Sequence, residues 1–169
     1  LAGGLLDLNG NELEIMNNSP ASINLISGYI VGEDEASKIT WQIGTATGSF
    51  VFPFGTHGGL NYIPVTFNVS AAGTGTGEIS ICTYPTNSQN LPYPTGVLNM
   101  HLQNNGADQS AGAANRFWRV EPGSYATNPT SDVTFRYTTS DLLVGAVTLD
   151  QNAFEAYRWN GASWDSPIS

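Results

Sequence analysis

Positive charge is nearly missing from this sequence: five Lys and Arg stand against 14 Asp and Glu in 169 residues, and the only lysine is Lys38. Nucleic-acid binding needs clustered cations that displace phosphate counterions, so no nucleic-acid partner is expected. A net charge of −9 disfavours anionic membrane surfaces for the same reason. Charge of either sign is scarce, at 11% of residues, against roughly 25% in an average soluble domain. Cysteine is down to one residue, Cys82, which excludes an intrachain disulfide. Its neighbours Ile81 and Thr83 lie in a strand-like run, so a buried, inert thiol is expected. No stretch of about 18 apolar residues occurs, so no membrane insertion by a helix is expected. The opening, Leu1 to Leu8, lacks the cationic region of a signal peptide and reads as part of a mature or excised segment.

What is present is uncharged polarity on an apolar framework. Hydrophobic residues make up 40% of the chain, alongside 16 Asn, 16 Thr, 15 Ser and 19 Gly. A disordered chain would combine low hydrophobicity with high charge, and neither holds here. Period-2 alternation dominates, whereas helical periodicity is hard to find. Leu6 and Leu8 alternate with polar neighbours before Asn9-Gly10, and Leu13 and Ile15 do so after it. Asn-Gly takes positive φ readily, so a tight turn is expected there and again at Asn160-Gly161. Short strands are expected at Ile23 to Ile26, Tyr29 to Val31 and Ile39 to Ile43. Longer ones follow at Ser49 to Phe54, Ile63 to Val69 and Glu78 to Tyr84. The flanks of Val97 to Leu102 are rich in Asn, Gln, Pro and Gly and read as surface loops. Arg116 to Glu121, Asp132 to Tyr137 and Ala146 to Leu149 alternate again, before a closing hairpin of Phe154 to Trp159 with Ala162 to Trp164.

About a dozen short strands with turn signals between them predict an all-β fold, an antiparallel β-sandwich of jelly-roll-like type. Residues 1–45 are expected to form a short-strand meander or a β-solenoid-like segment and residues 46–169 the sandwich, either as two parts or as one continuous domain. Trp41, Phe52, Phe54, Phe117, Trp118 and Trp159 suit its core, with Arg116 and Arg158 placed to stack on aromatic faces while hydrogen-bonding carbonyls or a carboxylate.

The most distinctive motifs are Trp41-Gln42-Ile43-Gly44, Phe52-Pro53-Phe54-Gly55, Arg116-Phe117-Trp118 and Tyr157-Arg158-Trp159-Asn160-Gly161. Together with the LDLNGNELEI opening and SGYIVGE, they span most of the chain. This set resembles a module of Bacteroidetes cell-surface proteins exported by the type IX secretion system, including gliding-motility-associated and adhesin-like proteins. The resemblance implies secretion, an extracellular surface location and modular repetition, and it brings no catalytic residues with it. Its expected partners are copies of itself or neighbouring modules of the same surface protein.

Chemical motifs are sparse. His57 and His101 lie in unrelated contexts, neither with a second ligand at metal spacing. No G-x-S-x-G nucleophile elbow occurs, and no carboxylate pair is singled out for glycosidase work. Gly73-Thr74-Gly75-Thr76-Gly77 lacks the following Lys-Ser/Thr of a phosphate loop and reads as a hairpin turn. No catalytic residue and no cofactor are therefore expected. Glu33-Asp34-Glu35 is the one acidic cluster, and calcium is the metal that oxygen-rich extracellular loops would take. Tyr93, Tyr125 and Trp164, near loops or the end of the sequence, are the candidate platform for a glycan. Two functions thus stand side by side: a non-catalytic structural or adhesive module, and a carbohydrate-binding module.

Overall fold

A computed structural model describes residues 2–58, 61–101 and 106–165. The chain is all-β, of β-sandwich type, with several sheets and no barrel. Twelve strands are described: β1 (Ala2–Asp7), β2 (Glu12–Ile15), β3 (Ser27–Val31), β4 (Lys38–Trp41), β5 (Gly48–Phe52), β6 (Phe54–Gly55), β7 (Val65–Ala71), β8 (Thr74–Pro85), β9 (Arg116–Thr127), β10 (Thr130–Thr134), β11 (Leu143–Val144) and β12 (Val147–Thr148). They form sheets ordered β1-β3-β6, β2-β4-β8-β9 and β10-β7-β5, with β11-β12 as a separate hairpin.

The first four strands are wound as a coil. β1 runs parallel to β3, β3 parallel to β6, and β2 parallel to β4. Leu6 lies beside Ile30 and Ile30 beside Phe54, a spacing of 24 residues each time. Leu13 lies beside Ile39 and Ile15 beside Trp41 in the other sheet. Of the two forms expected for this region, parallel pairing matches the solenoid and not the meander. Asn9 and Gly10 both adopt positive φ, +46° and +78°, as the sequence leads one to expect. The strands they join nonetheless enter different sheets, so the turn makes a corner of the coil and not a hairpin. Gly28 is needed where two coils meet, since a Cβ there would lie 2.1 Å from the Gly4 carbonyl oxygen.

Two compact units are present. The first comprises Leu1–Tyr84 with Trp118–Tyr137, the second Pro85–Phe117 with Thr138–Ser169. Residue 45, where the coil and the sandwich were set apart, lies inside the first unit. Ile43 and Phe50, on either side of it, share one core, so the coil and the antiparallel strands have no separate interiors. That core draws Ile30 and Phe54 from one sheet, with Leu8 just past the end of β1, Ile39, Trp41, Ile79 and Ile81 from another, and Phe50, Phe52, Val65 and Phe67 from the third. The alternation that predicted these strands is the cause: every second residue of a strand points to one face. No strand forms over Ile23–Ile26, because Pro20 starts a single 3-10 turn, Pro20–Ser22, capped by the Ser19 hydroxyl accepting from the Ala21 N–H at 3.2 Å. Val97–Met100 is likewise not a strand; His101 makes only an isolated bridge to Asp108, and Leu102 lies outside the described residues.

The glycine run 73–77 belongs mostly to β8 and not to a turn. It forms a trough for the Tyr125 ring: a Cβ on Gly77 would come within 2.1 Å of that ring, and one on Gly73 within 2.7 Å. Gly77→Ala is expected to cost about 1–3 kcal/mol by overpacking. In a Tyr125→Ala background the same substitution should cost much less. Urea denaturation of the single and double variants measures this, and equal costs in both backgrounds would disprove the trough.

Candidate functional site

Three surfaces are organised enough to consider, two in the first unit and one in the second. The first is the outer face of the four-stranded sheet. Ile39 and Trp41 point into the core from β4, so Lys38 and Thr40 point out, and the neighbouring strands follow the same alternation. Thr40 Oγ1 donates to Glu12 and lies 2.7 Å from Ser80 Oγ. Gln42 Nε2 donates to Glu14 at 3.0 Å and to Glu78 at 2.5 Å. Lys38 Nζ stands 3.5 Å from Glu12, and Arg119 pairs with Glu35 and, at 2.6 Å, with Glu121. Of these, Glu12, Glu35, Lys38, Ser80, Arg119 and Glu121, together with Cys82, line a shallow concavity of about 410 Å³. Rows of polar pairs running across the strands make a rigid, mostly self-satisfied face. The signal for it was present in the sequence as Glu12-x-Glu14, Lys38-x-Thr40-x-Gln42 and Glu78-x-Ser80.

Cys82 is buried, as expected, and burial pushes its thiol from 9.0 up to about 12. The negative charge of Glu35 adds to this, Arg119 opposes it, and Glu121 reinforces it. Tyr84 is raised as well, first by burial and then by Glu35 and Cys82, against Arg119. An unfolded thiol ionises near 9.0 while the folded one resists until about 12. Its contribution to stability is therefore complete below pH 9.0 and is lost as the pH climbs toward 12. Stability should decline across that window, and Cys82→Ala should flatten the decline. Iodoacetamide at about pH 8 should label Cys82 only after unfolding; rapid labelling of the folded chain would contradict the burial.

The second surface is the end of the coil. β1 and β2 are edge strands of their sheets, and among the described residues no strand pairs with their outer sides. Beside them an open apolar groove of about 390 Å³ is lined by Leu6, Leu13, Ile15, Ile23 and Ile30, with Ser22 and Asn24 at its rim. Leu13, Ile15 and Ile23 pack on the main core from this side, so the apolar interior runs out to the surface here. Leu6 is 39% exposed and Ile26 77% exposed. Sequence reasoning did not single out this groove. Its trace was the recurrence of Gly-Leu-Leu-Asp (Gly4 to Asp7) as Gly-Tyr-Ile-Val (Gly28 to Val31) at the coil spacing.

The third surface lies in the second unit. The Phe117 ring stacks on Trp164 at 6.5 Å and 11°, meets Tyr93 edge-on at 6.3 Å, and Trp164 in turn meets Trp159 edge-on at 5.5 Å. Trp159 and Trp164 face each other across the Asn160-Gly161 turn, where Asn160 Oδ1 accepts from the N–H groups of Ala162 and Ser163, each at 3.0 Å. Trp164 Nε1 donates to the Asn99 carbonyl at 2.8 Å. Two of the three residues put forward for a glycan, Tyr93 and Trp164, are therefore joined through Phe117. The third, Tyr125, belongs to the first unit and lies over its glycine trough. Trp159 was expected in a core and is only half-buried, as is Trp118, whereas Trp41, Phe52, Phe54 and Phe117 are buried.

The acidic cluster is spread among separate partners. Asp34 closes its own turn, accepting from the Ala36 and Ser37 N–H groups at 2.8 Å and from Ser37 Oγ at 2.7 Å. Burial acts to raise its pKa, yet those hydrogen bonds together hold it below the ordinary value. Glu33 accepts from the His57 N–H at 3.1 Å, and Glu35 pairs with Arg119. Among the described residues no group of three or more His, Cys, Asp or Glu is placed to hold a metal ion. Arg116 and Arg158 form carboxylate pairs, with Asp141 at 3.1 Å and Asp165 at 2.7 Å. Carboxylate hydrogen bonding had been expected of both; a guanidinium enclosed like Arg116 needs such a counter-charge.

Fold and surfaces together define an all-β chain of β-sandwich type, with parallel, coiled strands in its first unit. No family model, no curated protein and no solved structure matches the chain. Among the described residues, no helix is long and apolar enough to cross a membrane.

Proposed function

We propose that this chain is a non-catalytic structural and adhesive module of a secreted bacterial surface protein, joined to neighbouring modules through its open sheet edges. The observation that carries this reading is the margin of two sheets: among the described residues no strand pairs with the outer sides of β1 and β2, and an apolar groove that continues the core lies beside them. An exposed edge offers main-chain donors and acceptors to another strand without needing special side chains. The self-satisfied polar face and the buried thiol supply neither a nucleophile nor a poised acid–base pair, which agrees with a connecting role. The low-charge surface of Asn, Thr and Ser agrees with the resemblance to type IX-exported surface proteins. Protease shaving of intact cells that make the full-length protein tests the location. Release of the segment from unbroken cells is expected, and protection until lysis would overturn the surface reading.

A carbohydrate-binding role has one observation in its favour, the Tyr93, Phe117, Trp159 and Trp164 cluster in the second unit. Two of those three ring pairs meet edge-on, whereas a sugar platform needs coplanar faces open to solvent. A glycan array decides it: binding abolished by Trp164→Ala would establish this reading, and an empty array would remove it.

A further inference from the structure

We propose that the chain carries a proteolytic processing site, the peptide bond between Arg136 and Tyr137. A trypsin-class endopeptidase cuts it in the folded protein, and the two pieces stay assembled. Water adds across the amide, leaving a carboxylate on Arg136 and an amine on Tyr137. The inference goes beyond the reading of the chain as a connecting module and does not depend on it.

Enzymes of this class seat an arginine or lysine side chain in a pocket with a carboxylate at its base, so the cation must first leave whatever holds it. They also need the flanking backbone out of its ladder, so cutting follows local opening. Five residues are of the right type: Lys38, Arg116, Arg119, Arg136 and Arg158. Four of them are held. Lys38 lies 3.5 Å from Glu12, on a strand with neighbours on both sides. Arg116 is buried against Asp141, and Arg119, on β9 beside β8, pairs with Glu35 and Glu121. Arg158 is exposed, but its Nε and Nη2 donate to Asp165 at 3.0 and 2.7 Å. Its own carbonyl, the group a protease attacks, accepts from the Asp165 N–H at 2.8 Å.

Arg136 differs on each count. It is exposed, and among the described residues no carboxylate stands within ion-pair distance of it. Its charge reaches the Tyr62 phenol instead. β10 ends at Thr134 and the next 3-10 turn begins at Thr139, so residues 135–138 belong to no strand or helix. No acidic residue falls within 133–139, and the residue after Arg136 is not proline.

The cut puts the two stretches of the second unit, Pro85–Phe117 and Thr138–Ser169, on different polypeptides. What joins those stretches is not the severed bond. Arg116 pairs with Asp141, and the Asn115 N–H and Nδ2 donate to the carbonyls of Asp141 and Leu143 at 2.7 and 2.8 Å. Trp164 donates to the Asn99 carbonyl and stacks on Phe117. A nick therefore opens the chain without releasing a piece.

The test is limited digestion of the purified, folded chain with trypsin, followed by mass spectrometry. Residues 1–136 and 137–169 are expected as the first products. They should form at least about tenfold faster than products of a cut at any of the other four sites. The nicked protein should leave a native gel-filtration column as one peak containing both pieces, which separate on a denaturing gel. Arg136→Gln should abolish the early cut, with circular dichroism showing that the variant is folded. First cleavage after Lys38, Arg116, Arg119 or Arg158, resistance of the folded chain to any cut, or pieces that part on the native column would each overturn the proposal. The purified chain is used, so the result is independent of where the protein resides.

Discussion

Trp41→Ala should unfold much of this protein's margin of stability, with an expected loss of about 3–5 kcal/mol. Natural domains hold about 5–15 kcal/mol in all. Trp41 is fully buried where the three sheets converge. Its ring meets Phe50 edge-on at 5.1 Å and 84°, and Phe52 at 5.4 Å and 68°. Truncation removes both contacts and leaves a cavity that aromatic neighbours on paired strands cannot collapse to fill. The indole N–H also donates to the Asn17 carbonyl at 2.8 Å, tying down the segment between β2 and β3. Trp41→Phe keeps most of the volume but loses that hydrogen bond, so it should cost less, about 1–2 kcal/mol. Urea unfolding ranks the two. A loss below about 1 kcal/mol for Trp41→Ala would mean that the core is organised around something else.

In the second unit, Arg116→Ala should cost about 3–5 kcal/mol, because it leaves a carboxylate buried without its counter-charge. Arg116 and Asp141 side chains are 2% and 4% exposed, with Nε and Oδ2 3.1 Å apart. The same Asp141 oxygen accepts from the Thr138 N–H at 2.7 Å and from its hydroxyl at 2.8 Å, capping the 3-10 turn Thr139–Leu142. Replacing both partners by apolar residues, Arg116→Met with Asp141→Leu, should be milder than Arg116→Ala alone, since no charge is then stranded. Half of the capping box is still lost, at about 1 kcal/mol, because the Thr138 N–H no longer meets a carboxylate while its hydroxyl still accepts from the N–H of residue 141. Thermal melts of the two variants give the order. A double variant worse than Arg116→Ala would show that the attraction within the pair, and not the penalty of an orphan charge, dominates.

Particular residues show how far the sequence could be read. Alternation at Ile39-x-Trp41-x-Ile43 and at Ile79-x-Ile81 marked the strands and told which side faces inward, and those residues form the core. Such patterns are local, since a strand buries one face whatever its neighbours are. Pairing direction is not local. Leu6 and Leu8 carry the same alternation whether β1 meets a parallel or an antiparallel neighbour, so a meander and a solenoid looked alike. The unit boundaries were hidden for a related reason: the first unit is built from two stretches far apart in the chain. Arg116 illustrates the limit for side chains, because its partner Asp141 is 25 residues away and nothing near it in sequence announces a buried pair.

The candidate surfaces divide in the same way. Tyr93 and Trp164 could be named as aromatic residues near loops, but only folding brings both against Phe117 and sends Tyr125 to the glycine trough instead. Glu33, Asp34 and Glu35 could be named as a cluster, and folding turns them toward His57, Ser37 and Arg119. Composition and period by themselves determined an all-β chain, acidic and without a disulfide, because those properties depend on residue type and spacing alone. Which strands pair in parallel, and which lie at the margins of the described sheets, was decided only by the tertiary structure. Both depend on which strands become neighbours, and that choice is made by long-range packing around Trp41 and not by any one stretch of sequence.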